Sequence, residues 1–147
     1  MTLTLEQKEI VRSTWAMVVP IAEDAARLFY GRLFEVDPST KPLFARTNMA
    51  EQGKKLMQMI QVAVANLDNL EKVQTAVEHL GRRHVDYGIK EEHYDSVGTA
   101  LLWTLEQGLG ERFTAEAKEA WSETYGLLAT IMKDAAYRSD RRPRPAA

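Results

Sequence analysis

Apolar residues recur three and four positions apart along almost the whole chain, and no apolar/polar alternation runs long enough for a strand. Thr4-Leu5-Glu6-Gln7 has the form of a capping box, and Leu5, Ile10, Val11, Trp15 and Val18 give a first helix an apolar face that stops at Pro20. A second helix is predicted over residues 21–34, with Ala22, Ala25, Ala26, Phe29, Tyr30 and Leu33 on or beside its buried side. Asp37 before Pro38 opens a short turn that runs into Pro42-Leu43-Phe44. Asn48 and Glu51 start a third helix whose stripe reads Gln52, Leu56, Met59, Ile60, Ala63 and Leu67. Asp68 and Glu71 are expected to cap the next helix, which ends near His84, with Gly88 as the glycine just past its end. Helices over residues 91–109, stopped by Gly110, and from Thr114 to about residue 137 complete the pattern. The chain reads as all-α, with about seven helices of unequal length. A four-helix bundle would want fewer and more equal segments.

Within this pattern a few polar side chains occupy apolar positions. His84 continues the stripe Val73, Val77, Leu80, so a histidine stands where a core residue is called for. A ring there is either a hydrogen-bonded core histidine or a ligand aimed into a cavity, and for a lone histidine the core role is the commoner. Gln52 lies on the stripe of the preceding helix, and Tyr30 on the apolar side of the second, its hydroxyl in need of a partner if buried. An unpaired buried amide or hydroxyl costs about 1–3 kcal/mol. Three such groups are most economically explained by one cavity that holds something polar. Each also has a plainer reading: Gln52 in a first turn can reach solvent, Tyr30 can be a core ring with its hydroxyl at the surface, and Phe44 can be simple packing. His79 falls off the stripe and His93 opens a helix among Glu91, Glu92 and Asp95, so both are expected at the surface.

Composition narrows the classes without choosing among them. The 147 residues suit one domain, and 45% hydrophobic with 27% charged residues is ordinary for a soluble protein. A net charge of −2 gives no reason to expect nucleic acid. Residues 138–147 carry +3 and the remainder −5; this Pro- and Arg-rich tail is expected to be disordered and solvated. With no cysteine there are no disulfides, thiolate metal sites or cysteine nucleophiles. No signal-peptide pattern opens the chain, and no stretch nears the roughly 20 apolar residues of a membrane span. A cytoplasmic protein is the expectation.

The remaining motifs carry a resemblance. Leu80-Gly81-Arg82-Arg83-His84 followed by Tyr87-Gly88-Ile89 is similar to the proximal histidine region of neuroglobin and of bacterial single-domain globins. Leu101-Leu102, Leu109-Gly110, Phe113-Thr114, and Trp121 with Tyr125-Gly126 fall in the same order and spacing. Tyr30, inside Leu28-Phe29-Tyr30-Gly31-Arg32-Leu33-Phe34, matches the tyrosine of bacterial haemoglobins, and Pro42-Leu43-Phe44 matches the family's haem-packing phenylalanine. From about residue 5 to 137 the chain resembles the globins, with a globin domain expected over residues 1–137.

The resemblance implies a haem b (iron protoporphyrin IX) cofactor with His84 as the proximal iron ligand. Tyr30, Gln52 and Leu56 would form the distal ligand pocket, Ile89 and Val97 would line the proximal side, and Phe44 would pack on the haem. Lys55 and Arg83 stand where they could meet haem propionates, with ordinary solvated charge an equal alternative. The ring N–H of His84 needs an acceptor, and the Leu80 carbonyl is the nearest candidate by sequence. A tyrosine hydroxyl and a glutamine amide are both donors to a polar diatomic ligand, which implies tight oxygen binding with slow release.

Two departures from relatives matter. Neuroglobins place an iron-coordinating histidine where this chain has Gln52, so the ferrous iron is expected to be five-coordinate, with Lys54, Lys55 or Tyr30 as ferric ligands at high pH. Flavohaemoglobins, which carry out nitric oxide dioxygenation, pair the proximal histidine with a tyrosine and a glutamate; Tyr94 matches the tyrosine, but the glutamate position is Ala136, with Asp134 the nearest acid. The leading expectation is reversible binding of oxygen and related ligands such as nitric oxide and carbon monoxide, with sulfide also compatible. Nitric oxide dioxygenation would need a separate reductase, since no flavin or nicotinamide domain follows residue 137. A gas sensor is the third reading, a haem-free helical domain the last.

Overall fold

The computed structural model describes residues 3–138. Six α-helices make up most of it: α1 (Leu5–Val18), α2 (Ala22–Val36), α3 (Met49–Ala65), α4 (Glu71–Asp86), α5 (His93–Leu109) and α6 (Ala115–Lys133). Short 3-10 turns at Val19–Ile21, Pro38–Phe44 and Gly110–Arg112 join them, α6 ends in a π-turn at Asp134–Arg138, and the described residues include no strand. With the Pro38–Phe44 segment, the count is close to the seven expected. Residues 139–147, most of the basic tail, lie outside the described residues.

Local chemistry sets most boundaries. Thr4 and Gln7 form a reciprocal capping box at α1, while Asn48 and Thr114 accept the N3 amides of α3 and α6. Pro20 has no N–H to continue α1, and the chain turns there. Gly88 takes φ 89°, a left-handed conformation that glycine adopts without a Cβ clash. Its N–H reaches the Val85 carbonyl, and the Ile89 N–H reaches the His84 carbonyl, so α4 closes in a Schellman motif.

One capping expectation fails. The N-cap of α4 is Leu70, with no side-chain hydrogen bond. Asp68 turns away from it to accept Lys8 and Arg12 of α1, which tie the loop after α3 to the first helix.

The packing divides the interior. α2 lies along α5, α1 crosses α6, α3 rests on α2 and α1, and α4 rests on α6; α3 and α4, though consecutive, hardly touch. One apolar cluster joins α1, α2, α5 and α6 around Val11, Trp15, Phe29, Leu33 and Trp121. A smaller one joins α4 to α5 and α6 through Val77, Tyr94, Ala129 and Met132. The Trp121 indole donates to the Thr14 hydroxyl at 2.8 Å, which fixes the α1–α6 crossing. α3 and α4 are the consecutive pair left apart, and Gln52 and His84 stand on these two helices.

Candidate functional site

Helical glycines set two of the close helix approaches. A Cβ on Gly53 would lie 2.9 Å from the Ala26 Cβ, so α3 comes against α2 at closest range beside Gln52 and one turn before Tyr30. That approach lets the Gln52 amide donate to the Tyr30 hydroxyl at 3.2 Å. Tyr30 is buried, with Phe29 and Phe44 edge-on to its ring at 4.9 and 5.4 Å. Burial raises its pKa, with the Gln52 hydrogen bond opposing in part, so the phenol keeps its proton through neutral pH. Because the hydroxyl oxygen accepts from Gln52, its own proton is free to donate elsewhere. The pair is a preorganised donor site.

At the second approach, a Cβ on Gly81 would sit 2.5 Å from the Met132 carbonyl oxygen, so α4 and α6 meet backbone to backbone three residues before His84. His84 is half-buried, and burial with the neighbouring Arg83 charge lowers its pKa to about 4. The imidazole is therefore neutral at pH 7, the form that ligates a metal. Its Nδ1 lies 3.4 Å from the Tyr94 hydroxyl, and its Nε2 has no hydrogen-bond partner among the described residues. Here the structure corrects the sequence: the group at Nδ1 is Tyr94 of α5, not the Leu80 carbonyl. Tyr94 is held in turn, its carbonyl accepting from the Tyr125 hydroxyl at 2.6 Å and its ring meeting Tyr137 edge-on at 6.4 Å. The Tyr137 hydroxyl donates to the Ile89 carbonyl, which braces the corner after α4.

The other expected residues are distributed as follows. Phe44, Leu56 and Val97 pack against the larger cluster and Ile89 against the smaller, each only partly buried. Such half-covered apolar side chains are what a flat apolar group would cover. Lys55 and Arg83 are exposed and have no ion-pair partner among the described residues, whereas Lys54 pairs with Glu51. A neutral imidazole whose Nε2 has no partner among the described residues, partly buried apolar side chains, two cations without ion-pair partners there and a hydrogen-bonded Tyr/Gln pair fit haem, with its iron, flat macrocycle and propionates. The described residues contain no cluster of three or more metal-binding His, Cys, Asp or Glu side chains.

Gly81 and Tyr125 stand within the motifs quoted above, but the supporting roles of Tyr125, Tyr137, Gly53 and Gly81 were not legible in the sequence. Glycine inside a helix costs roughly 0.5–1 kcal/mol relative to alanine, and that cost was the available signal for the last two. His93 is a second correction. It is buried, not at the surface, with both ring nitrogens engaged.

Six α-helices, with a neutral half-buried histidine on one and a hydrogen-bonded Tyr/Gln pair on two others, define a class of helical protein suited to haem. The sequence matches the family model for globins over residues 27–132. It is similar to a flavohemoprotein of Rhodopirellula baltica, 39% identical over 83% of this chain, and to one of Xylella fastidiosa, 35% identical over 85%. The chain spans about a third of the length of those two relatives, at 30% and 32%. A neuroglobin of Tetraodon nigroviridis is 29% identical over 88% of this chain and 90% of its own. In structure the chain is similar to a bacterial globin from Campylobacter jejuni, with a TM-score of 0.82 at 30% identity over 95% of this chain and all of that one. The chain belongs to the globin family, whose members are haem proteins.

Proposed function

We propose that this globin binds haem b through His84 and binds oxygen reversibly in a distal pocket formed by Tyr30, Gln52 and Leu56. Haem supplies a ferrous iron with an open coordination position for a diatomic ligand. This chain supplies the rest. His84 stays neutral, offers Nε2, and donates its Nδ1–H to the Tyr94 hydroxyl, which fixes the ring's orientation. Leu56, Phe44, Ile89 and Val97 exclude water from the macrocycle, while Lys55 and Arg83 stand ready for its propionates. The observation that carries the reading is the Gln52–Tyr30 hydrogen bond, which leaves the phenolic proton free to donate to a ligand. Gln52 is a poor iron ligand, so it would leave the distal position of a bound haem open to the gas ligand. A Soret band present in the wild type and lost in His84→Ala tests the proximal assignment. A six-coordinate low-spin spectrum of the deoxy protein would overturn the distal one.

A second reading, nitric oxide dioxygenation with a separate reductase, is favoured by the flavohemoprotein relatives and by the His84–Tyr94 contact. Sustained nitric oxide consumption in the presence of a reductase supports it, and a single turnover favours binding alone. The same donor pair serves carbon monoxide, nitric oxide and sulfide as ligands.

A further inference from the structure

The buried histidine that the pocket does not use ties together the two corners flanking it. His93 is 5% exposed. Its Nδ1 accepts the Lys90 backbone N–H at 2.9 Å, and its own backbone N–H returns to the Lys90 carbonyl at 3.0 Å. This reciprocal pair closes the turn into α5, whose N-cap Glu92 makes no side-chain hydrogen bond. With Nδ1 an acceptor, the neutral ring must carry its proton on Nε2, and there it meets the Ser39 hydroxyl at 3.2 Å. The Ser39 hydroxyl donates onward to Asp37 Oδ1, and Ser96 donates to Asp37 Oδ2 at 2.8 Å. Asp37 also accepts the Ser39 backbone N–H, and its carboxyl is held below the usual range chiefly by the Ser39 and Ser96 hydroxyls. Every proton in the relay Lys90–His93–Ser39–Asp37 has one place. It spans the corner after α4, the first turn of α5 and the turn that leads to Leu43 and Phe44.

We propose that His93 is a positioning residue and an acid-sensitive latch: its neutral Nε2–H tautomer clamps the Ile89–Lys90 corner to the Asp37–Phe44 turn. The corner matters because the Ile89 N–H holds the carbonyl of His84, while a Cβ on Gly88 would lie 3.3 Å from the Leu43 side chain. A second proton on His93 must go to Nδ1, where it faces the Lys90 N–H and breaks that hydrogen bond. The charged groups around the ring are Asp37 from the facing turn, through Ser39, and Lys90, Glu91, Glu92 and Asp95 from its own segment. Acidification therefore exchanges a fixed corner for an ion-paired, opened one. The latch stands independently of the ligand; its effect on the pocket rests on the haem reading.

The test follows the Lys90 amide and the His93 ring nitrogens by NMR on the full chain, with haem dissociation as a separate readout. At neutral pH the expected signature is a neutral His93 protonated on Nε2 and a Lys90 amide protected from exchange. Lowering the pH through the His93 titration should speed Lys90 exchange, corrected for its intrinsic pH dependence, at least about tenfold, the factor that one hydrogen bond of about 1.4 kcal/mol supplies. Ser39→Ala should keep Lys90 protected at neutral pH, because it cuts the relay beyond His93; His93→Leu should leave Lys90 unprotected at every pH. An Nδ1–H tautomer, or Lys90 protection that does not respond to the His93 titration, overturns the proposal, and both are read in the wild type even if His93→Leu does not fold. Haem loss should accelerate with acid more steeply in the wild type than in His93→Gln, and equal steepness would remove the positioning role while the NMR still decides the latch. Absence of haem uptake would instead strike the haem reading.

Discussion

Replacing Gly81 with alanine adds a single methyl group three residues before His84, and the structure allows its consequence to be worked through. The added Cβ would lie 2.5 Å from the Met132 carbonyl oxygen, 2.8 Å from its Cα and 3.0 Å from its carbonyl carbon. Carbon–oxygen contacts settle at about 3.3 Å or more, so α4 and α6 must part by roughly 0.8 Å. The obstacles are main-chain atoms, which no rotamer change can move aside. A gap of this size forfeits roughly a quarter to a half of each dispersion contact across the interface, here among Val77, Leu80, Leu128, Ala129 and Met132. Overpacking of this kind costs about 3 kcal/mol at the upper end of the usual range, against about 1 kcal/mol gained from the better helix former. The net loss is about 2 kcal/mol, or roughly 6–10 °C in Tm for a domain of this length. Thermal unfolding of Gly81→Ala beside Gly31→Ala measures it. Gly31 is exposed on α2 with nothing within 4 Å of a Cβ, so the same change there should be neutral or stabilising by up to about 1 kcal/mol. Haem dissociation should also quicken in Gly81→Ala, since α4 carries His84. A Tm for Gly81→Ala equal to or above that of the wild type would refute the close-packed α4–α6 crossing.

Other outcomes follow from the same geometry. Tyr30→Phe removes the donor that Gln52 orients and should raise the oxygen dissociation rate at least about tenfold in stopped-flow, the kinetic equivalent of one charge-assisted hydrogen bond; an unchanged rate would exclude Tyr30 as the donor. Gln52→Leu should have a smaller effect of the same sign, because the phenol stays but loses its orientation. In the haem-free protein His84 has a folded pKa near 4 against 6.5 unfolded, so the neutral ring favours the fold. That contribution is complete above pH 6.5 and is lost as pH falls to about 4, roughly 3 kcal/mol at 1.36 kcal/mol per unit. Urea unfolding of the haem-free wild type should therefore weaken over this window relative to haem-free His84→Leu, and parallel curves would contradict the burial of the ring. Trp121→Phe should destabilise by about 1–3 kcal/mol in denaturant unfolding, since it empties indole volume and leaves the buried Thr14 hydroxyl without its donor.

Much of this architecture was legible in the chain. The 3.6-residue stripe located six helices, the capping box at Thr4 and the glycine at Gly88 located two of their ends, and the interruption of two stripes by Gln52 and His84 singled out residues of the proposed pocket. These features share a cause: each depends on residues within a few positions of one another. Backbone donors and apolar faces must be satisfied locally, and the sequence records how.

What lay beyond it is long-range in every instance. Asp68 is a plausible cap by its neighbours, but Lys8 and Arg12 from α1 reach it first. His93 sits among acidic residues and reads as surface, but the Asp37–Phe44 turn folds over it and supplies Ser39 as its partner. The Nδ1 of His84 is nearest in sequence to the Leu80 carbonyl, yet the crossing of α4 with α5 brings the Tyr94 hydroxyl to it.

From local periodicity come the all-helical fold and the polar interruptions at Gln52 and His84, because periodicity reports which positions must leave water. Only the tertiary structure decided which groups answer which. Helix crossings bring together residues tens of positions apart, and their distances are set by contacts such as Gly53 on Ala26 and Gly81 on Met132. A hydrogen bond is satisfied or lost within about half an ångström. Periodicity cannot resolve that distance, and packing can.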